Sequence, residues 1–154
     1  MIVRAACTPD SSAPWTHAGR TGETFTNVVV EADVGDGAVL AHANAQLQAP
    51  GAYHVATTNV RVGRSAAYRS TVASLGARLS RHDLRVTLAG EGASCELYGL
   101  SLLGGSQHAD HHTFVDHAVR HGSSRQAYDG ADAADARGVV AGAVLVRHDA
   151  QKTE

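Results

Sequence analysis

Aromatic side chains make up only 5% of the 154 residues, although 44% of the residues are hydrophobic. A core built around a few large rings is thereby excluded, and any interior has to be filled by small and branched aliphatics. Lysine is nearly absent, with Lys152 alone against twelve arginines. The 13 basic residues are nevertheless offset by 15 acidic ones and form no block, which argues against a nucleic-acid-binding face. Cysteine is scarce as well. Cys7 and Cys95 lie far apart with no CxxC pair, a usage that fits a reducing compartment. Long apolar runs are missing too. Residues 1 to 24 lack the apolar segment of a secretory signal, and the best stretch, Gly138 to Val146, is too short to span a bilayer. The expectation is a soluble, cytoplasmic protein without membrane or nucleic-acid partners, of a length that suits one structural unit.

What is present is valine, alanine and threonine, and β-branched side chains fit a pleated, half-buried surface. Residues 8 to 24 are rich in Pro, Ser, Thr and Gly, so the segment 1–24 reads as a loop or poorly ordered lead-in, with the ordered domain spanning 25–154. Short apolar stretches then recur: Asn27 to Ala32, Ala38 to Ala43, Tyr53 to Val62, Leu84 to Leu88, Cys95 to Leu103, Thr113 to Val119 and Val139 to Val146. Several follow a Gly-Ala pair, at 37–38, 51–52, 76–77, 92–93 and 142–143, as if one kind of corner were repeated. Glycine there permits a tight bend, and the alanine fits a crowded inner position. The uneven spacing excludes strict hexapeptide or nonapeptide repeats and leaves an irregular parallel β-helix, with a β-sandwich as the alternative. Tyr68, Val72, Leu75 and Leu79 fit helical spacing, but Thr71, Val72 and Gly76 favour a strand in which Tyr68 and Val72 share a face.

Half of the ten histidines lie between His108 and His121, accompanied by Asp110 and Asp116. Imidazole and carboxylate suit iron, zinc, manganese or copper, so this segment is the candidate metal site. A strand over 112–118 would put His112, Phe114 and Asp116 on one face and Thr113, Val115 and His117 on the other. The metal-ligand set this leaves is Asp110, His112 and Asp116, completed from an adjacent coil; the alternative is polar ladders on a solenoid surface. Ser123 and Ser124 stand near His121 and Asp116 without a nucleophile-elbow context. Gly90-Glu91-Gly92 lacks the rest of a phosphate-binding loop. Pro50-Gly51-Ala52-Tyr53-His54 with Asn59 has a distant likeness to the second cupin motif, but the His-x-His of the first motif is absent.

Four segments occur in a telling order: TFTNVVVEADVGDGA (24 to 38), SLGARLSRHDLRVTLAGEGASCELYGLSLL (74 to 103), the histidine segment from Gln107, and RGVVAGAVLVRHDAQKT (137 to 153). Together they resemble the central region of the SufB/SufD family of iron–sulfur cluster assembly scaffolds, across most of the chain. The SufD branch fits better, because a SufB chain would carry Gln-Asn-Trp where Gln46-Leu47-Gln48 stands, and Trp15 is the only tryptophan. Departures from the family pattern are Asp129 for lysine, Val140 for phenylalanine and His111 for asparagine. The resemblance implies a right-handed parallel β-helix acting as a non-enzymatic scaffold. It also implies a SufB-like paralogue as heterodimer partner, with a homodimer as the alternative, and a SufC-like ATPase docking on helical regions. No cofactor is expected to bind this segment tightly; an Fe–S cluster or iron would be held in the assembled complex. The family's Cys-x-His-Gly-Ala motif is expected beyond Glu154, and the family's flanking helical regions are expected outside this segment. The competing reading is a cupin-like or β-helical metalloenzyme using the His108 to His121 cluster.

Overall fold

The computed structural model describes residues 2–7, 11–18 and 22–150. Eleven strands follow one another: β1 (Ile2–Cys7), β2 (Ser11–Ala18), β3 (Phe25–Val34), β4 (Val39–Leu47), β5 (Tyr53–Val62), β6 (Ala67–Ser74), β7 (Leu79–Leu88), β8 (Ser94–Leu103), β9 (His108–His117), β10 (Ser123–Asp132) and β11 (Arg137–Val146). A single 3-10 turn, His148–Ala150, follows. Odd-numbered strands form one sheet in the order β1-β3-β5-β7-β9-β11, and even-numbered strands a second in the order β10-β8-β6-β4-β2. Every pairing is parallel, so the chain winds as a parallel β-solenoid with two strands per coil. Phe25, Tyr53, Leu79, His108 and Arg137 are register partners, placing successive coils 26 to 29 residues apart.

The local cause is alternation. In β7 the pattern buries Ser80, His82, Leu84, Val86 and Leu88 and leaves Arg81 and Arg85 outside, the period of two expected for a strand with one buried face. Two kinds of corner join the strands, not one. The first corner links β3 to β4, β5 to β6, β7 to β8 and β9 to β10. Its left-handed residue is Gly37, Ser65, Gly92 and His121 in turn, and Ala38, Ala66 and Ala93 follow it fully buried. The coils are tied there by backbone bonds such as Ala67 N to Ala38 O (2.9 Å) and Ser94 N to Ala66 O (2.9 Å). The second corner links even strands to odd ones and buries Ala52 and Ala77; Arg78 N donates to Ala52 O at 2.7 Å. The uneven Gly-Ala spacing thus arises from two interleaved corners. Gly142-Ala143 is no corner at all but lies inside β11.

Several expectations are met and others corrected. The stretch after Ser65 is strand β6, with Tyr68 and Val72 buried on the same face. Strand β10 has no continuous apolar run and escapes the sequence pattern. The lead-in 1–24 contains β1 and β2, which pair in parallel with β3 and β4, rather than loop alone. An outermost strand needs only backbone partners on one side, and Pro14, which has no N–H, is tolerated on the edge strand β2. Residues 1, 8–10 and 19–21 of that segment lie outside the described residues.

The interior is divided along its cross-section. Around the first corner it is apolar: Val34, Leu40, Val62, Tyr68, Leu84, Val86, Leu88, Cys95 and Leu97 form one cluster. Toward the second corner it is polar: Gln46, Gln48, His54, Ser74, Ser80, His82 and His111 are all buried. No helix among the described residues is long and apolar enough to cross a membrane.

Candidate functional site

Strand β9 carries most of the histidine segment, and alternation distributes it. His111, Thr113, Val115 and His117 point inward and are buried, while His112 and Phe114 lie on the outer face, as the strand reading requires. His121 sits in the first corner with φ 59°, its Nε2 3.7 Å from Glu91 Oε1.

The proposed ligands Asp110, His112 and Asp116 share the outward side but do not converge. His112 Nε2 lies 2.8 Å from Asp110 Oδ1, so these two are neighbours. Arg81, their neighbour on β7, reaches Asp110 Oδ2 at 3.4 Å and clamps Asp83 through Nε at 3.0 Å. That clamp holds the Asp83 carboxyl below its usual range. Asp116 is six residues further along the strand, roughly 20 Å away at the rise of a β-strand. Its carboxylate accepts two hydrogen bonds from Arg147, Nε at 3.0 Å and the terminal nitrogen at 2.6 Å. Among the described residues no group of three His, Cys, Asp or Glu side chains is arranged to hold a metal ion. The physical reason is that residues sharing one face of a strand spread along it, and neighbouring coils here answer each carboxylate with arginine.

One of the two serines near the histidines has an imidazole partner. Ser124 Oγ lies 3.0 Å from His117 Nε2. His117 Nδ1 has no hydrogen-bond partner, and burial lowers its pKa. The pair therefore lacks the third group that orients a catalytic base, and works as a part-buried side-chain bond between β9 and β10.

The polar half of the interior holds a constellation that the linear sequence does not announce. His82 on β7 and His111 on β9 are register partners, with ring centroids 6.3 Å apart at nearly a right angle. Each imidazole is held by a hydroxyl: His82 Nε2 to Thr58 Oγ1 at 3.1 Å, and His111 Nε2 to Ser74 Oγ at 3.1 Å. Nearer the first corner, on the even sheet, His42 Nδ1 meets Oη of Tyr68, a member of the apolar cluster, at 3.0 Å. Tyr128 packs against His111, centroids 5.6 Å apart, over Gly99, where any β-carbon would collide with its ring. Burial, followed by the nearby imidazoles of His111, His42 and His54, pushes the pKa of His82 down to about 3. The signal that could have found this group is coil spacing: His82 and His111 are one coil apart, but only once the coil length is known.

The two outer faces differ. On the odd sheet charges are paired between coils, as in Arg61 to Asp33 at 3.2 Å, and the Arg85 guanidinium lies 6.0 Å from the Phe114 ring centroid. On the even sheet Arg69 and Glu96 pair between coils at 3.4 Å near the first corner, and toward the second corner the outward side is small and apolar, with Ala45 and Ala73 in register and Leu47, Leu100 and Leu102 exposed at 46%, 42% and 48%.

A two-sheet parallel solenoid with buried histidines in its lumen belongs to the class of β-helical proteins. The model of the family described as "SUF system FeS cluster assembly, SufBD core domain" matches residues 10–154. A curated iron–sulfur cluster assembly SufBD family protein of Synechocystis sp. is 34% identical over 129 residues, covering 84% of this chain and 28% of the relative. The chain belongs to the SufBD core-domain family of the SUF iron–sulfur cluster assembly system. It spans a little over a quarter of that relative's length. The match from residue 10 also takes in the segment expected to be lead-in. No solved structure matches the chain significantly.

Proposed function

We propose that the chain is the solenoid module of a SufD-type scaffold in the cytoplasm, acting with a SufB-like paralogue and a SufC-like ATPase while iron or an Fe–S cluster is handled in the assembled complex. The observation that carries this reading is the family match across residues 10–154, coincident with the solenoid formed by the described residues of that span. The SufD branch is favoured by Gln46-Leu47-Gln48, where Gln46 and Gln48 are turned into the lumen and joined side chain to side chain at 3.3 Å. A role in an assembly is supported by the exposed leucines Leu47, Leu100 and Leu102 on the even sheet beside Ala45 and Ala73, since apolar side chains grouped on a surface mark an interaction site. The scaffold works by presenting rigid, register-locked faces, not by reacting.

The test is co-expression with SufB and SufC of the same organism, followed by size-exclusion chromatography with iron and sulfide analysis of each peak. Co-elution with both partners is the expected result. Failure to associate with either refutes the assignment of this module to the complex.

A further inference from the structure

Across β3 to β9, nearly every charge on the outer face of the odd sheet is answered. Asp33 pairs with Arg61 at 3.2 Å, and Asp83 is clamped by Arg81 at 3.0 Å. Arg81 also reaches Asp110 at 3.4 Å, and Arg147 holds Asp116 at 2.6 Å. Glu31 has a partner as well. Arg85 is the exception. It is exposed on β7, in register with Asn59 on β5 and Phe114 on β9, and among the described residues no carboxylate lies within ion-pairing distance of it. Its guanidinium stands 6.0 Å from the Phe114 ring centroid, at the outer limit of a cation–π contact, which leaves its N–H donors unused.

The sheet face around this pair is grooved. Arg85 and Phe114 form a ridge shared by two open furrows, a larger one of about 830 Å³ reaching back over Asn59, Arg61 and Thr87, and a smaller one of about 330 Å³ running over Ala141, Gly142 and Ala143. The first offers hydrogen-bonding groups beside the guanidinium; the second offers, beyond the Phe114 ring, the small apolar floor of β11. Each furrow lies between outward rows two residues apart along the strands, about 7 Å. That is too narrow for a helix, about 10–12 Å across, and suits the side chains of an extended segment. Because both furrows lie open on the sheet, neither encloses a small molecule as a ligand pocket does.

Charge narrows the occupant further. One unpaired guanidinium is matched by one carboxylate, whose two oxygens fit the guanidinium fork. A second negative charge would be repelled by Glu31, Asp33 and Asp116, which line the same furrow. We propose that this ridge is a docking site for an extended segment of a partner protein bearing a single carboxylate and, two residues further on, an aliphatic side chain. The carboxylate bonds Arg85, and the aliphatic group packs past Phe114 onto Ala141 and Ala143. Residues two apart in an extended chain point to one side about 7 Å from each other, so both face the sheet at once.

Amide NMR of the isotope-labelled chain, titrated with the blocked peptide acetyl-Thr-Glu-Thr-Leu-Thr-amide, tests this. The expected result is saturable shifts at residues 59, 85, 87, 114 and 141–143 and none on the even sheet. Arg85→Gln should weaken binding about tenfold, whereas Arg69→Gln, which removes an exposed guanidinium from the even sheet, should leave it unchanged. The same peptide with Gln in place of its Glu should bind the unaltered chain about tenfold more weakly, so the answer does not depend on the variant folding. Absence of localised shifts, unchanged affinity in Arg85→Gln or for the Gln peptide, or equal shifts from acetate at the same concentration overturns the proposal. Tighter binding of a peptide carrying phosphoserine in place of Glu overturns the assignment to a single carboxylate.

Discussion

Replacing Gly90 with alanine probes what holds the coils together. Gly90 lies in the first corner between β7 and β8, and its N donates to Val62 O at 3.2 Å. A β-carbon there would overlap the backbone N and Cα of Arg64 and the carbonyl carbon of Gly63 in the coil below. Backbone cannot step aside by changing a rotamer. The corner has to lift, which endangers the Gly90 bond and its neighbours, Ala89 N to Val62 O at 2.9 Å and Ser65 N to Glu91 O at 2.9 Å. Overpacking costs about 1–3 kcal/mol, and each lost backbone bond adds about 1 kcal/mol. With two of these bonds lost, a loss of about 3–5 kcal/mol follows, a large share of the roughly 5–15 kcal/mol by which a domain is stable. Urea unfolding followed by far-ultraviolet circular dichroism would register it as a midpoint lower by about 2 M, at a slope of about 2 kcal/mol per molar. Gly104→Ala is the control, because nothing lies within 4 Å of its added β-carbon. Equal midpoints for the two variants would refute the claim that inter-coil backbone contact, and not glycine content, sets stability at the corners.

Leu97, fully buried in the apolar cluster, should cost about 2–5 kcal/mol when cut to alanine, measured by the same unfolding curve. Arg147→Ala should lower the unfolding midpoint only slightly, and by less in high salt, because the side chain it removes is 56% exposed although it clamps Asp116 twice. Burial, with Glu96 adding to it, pushes the Cys95 thiol up to about 12. In a Cys7→Ser background Cys95 should therefore resist thiol reagents at pH 8 until denaturant is added, and rapid labelling of the native chain would contradict its placement. Leu100→Glu combined with Leu102→Glu should change the unfolding midpoint little, yet abolish co-elution with the SUF partners; retained co-elution would remove the even sheet's outer face from the interface.

Much of the strand content was open to reading from local pattern. Alternation in residues 53–62 and 79–88, and the Gly-Ala pairs at 37–38 and 92–93, reflect physics that acts over a few residues: side chains alternate along a strand, and left-handed turns suit glycine. Strand β10 was not legible, because its burial depends on the coil beneath it and not on its own hydrophobicity. Ser65 and His121 adopt the left-handed conformation without being glycine, so their corners carried no local mark.

The sequence by itself determined the class of element, the inward and outward faces of β9, and the family to which the chain belongs. Tertiary structure alone decided which side chains meet. Corner lengths vary, so coil repeats range over 26 to 29 residues, and a shift of one residue would turn every side chain of a strand to the other face. That inter-coil register separates Asp110 and His112 from Asp116 and gathers His82 and His111 in the lumen. It is a property of stacked backbone bonds between distant segments, which no single stretch of the chain encodes.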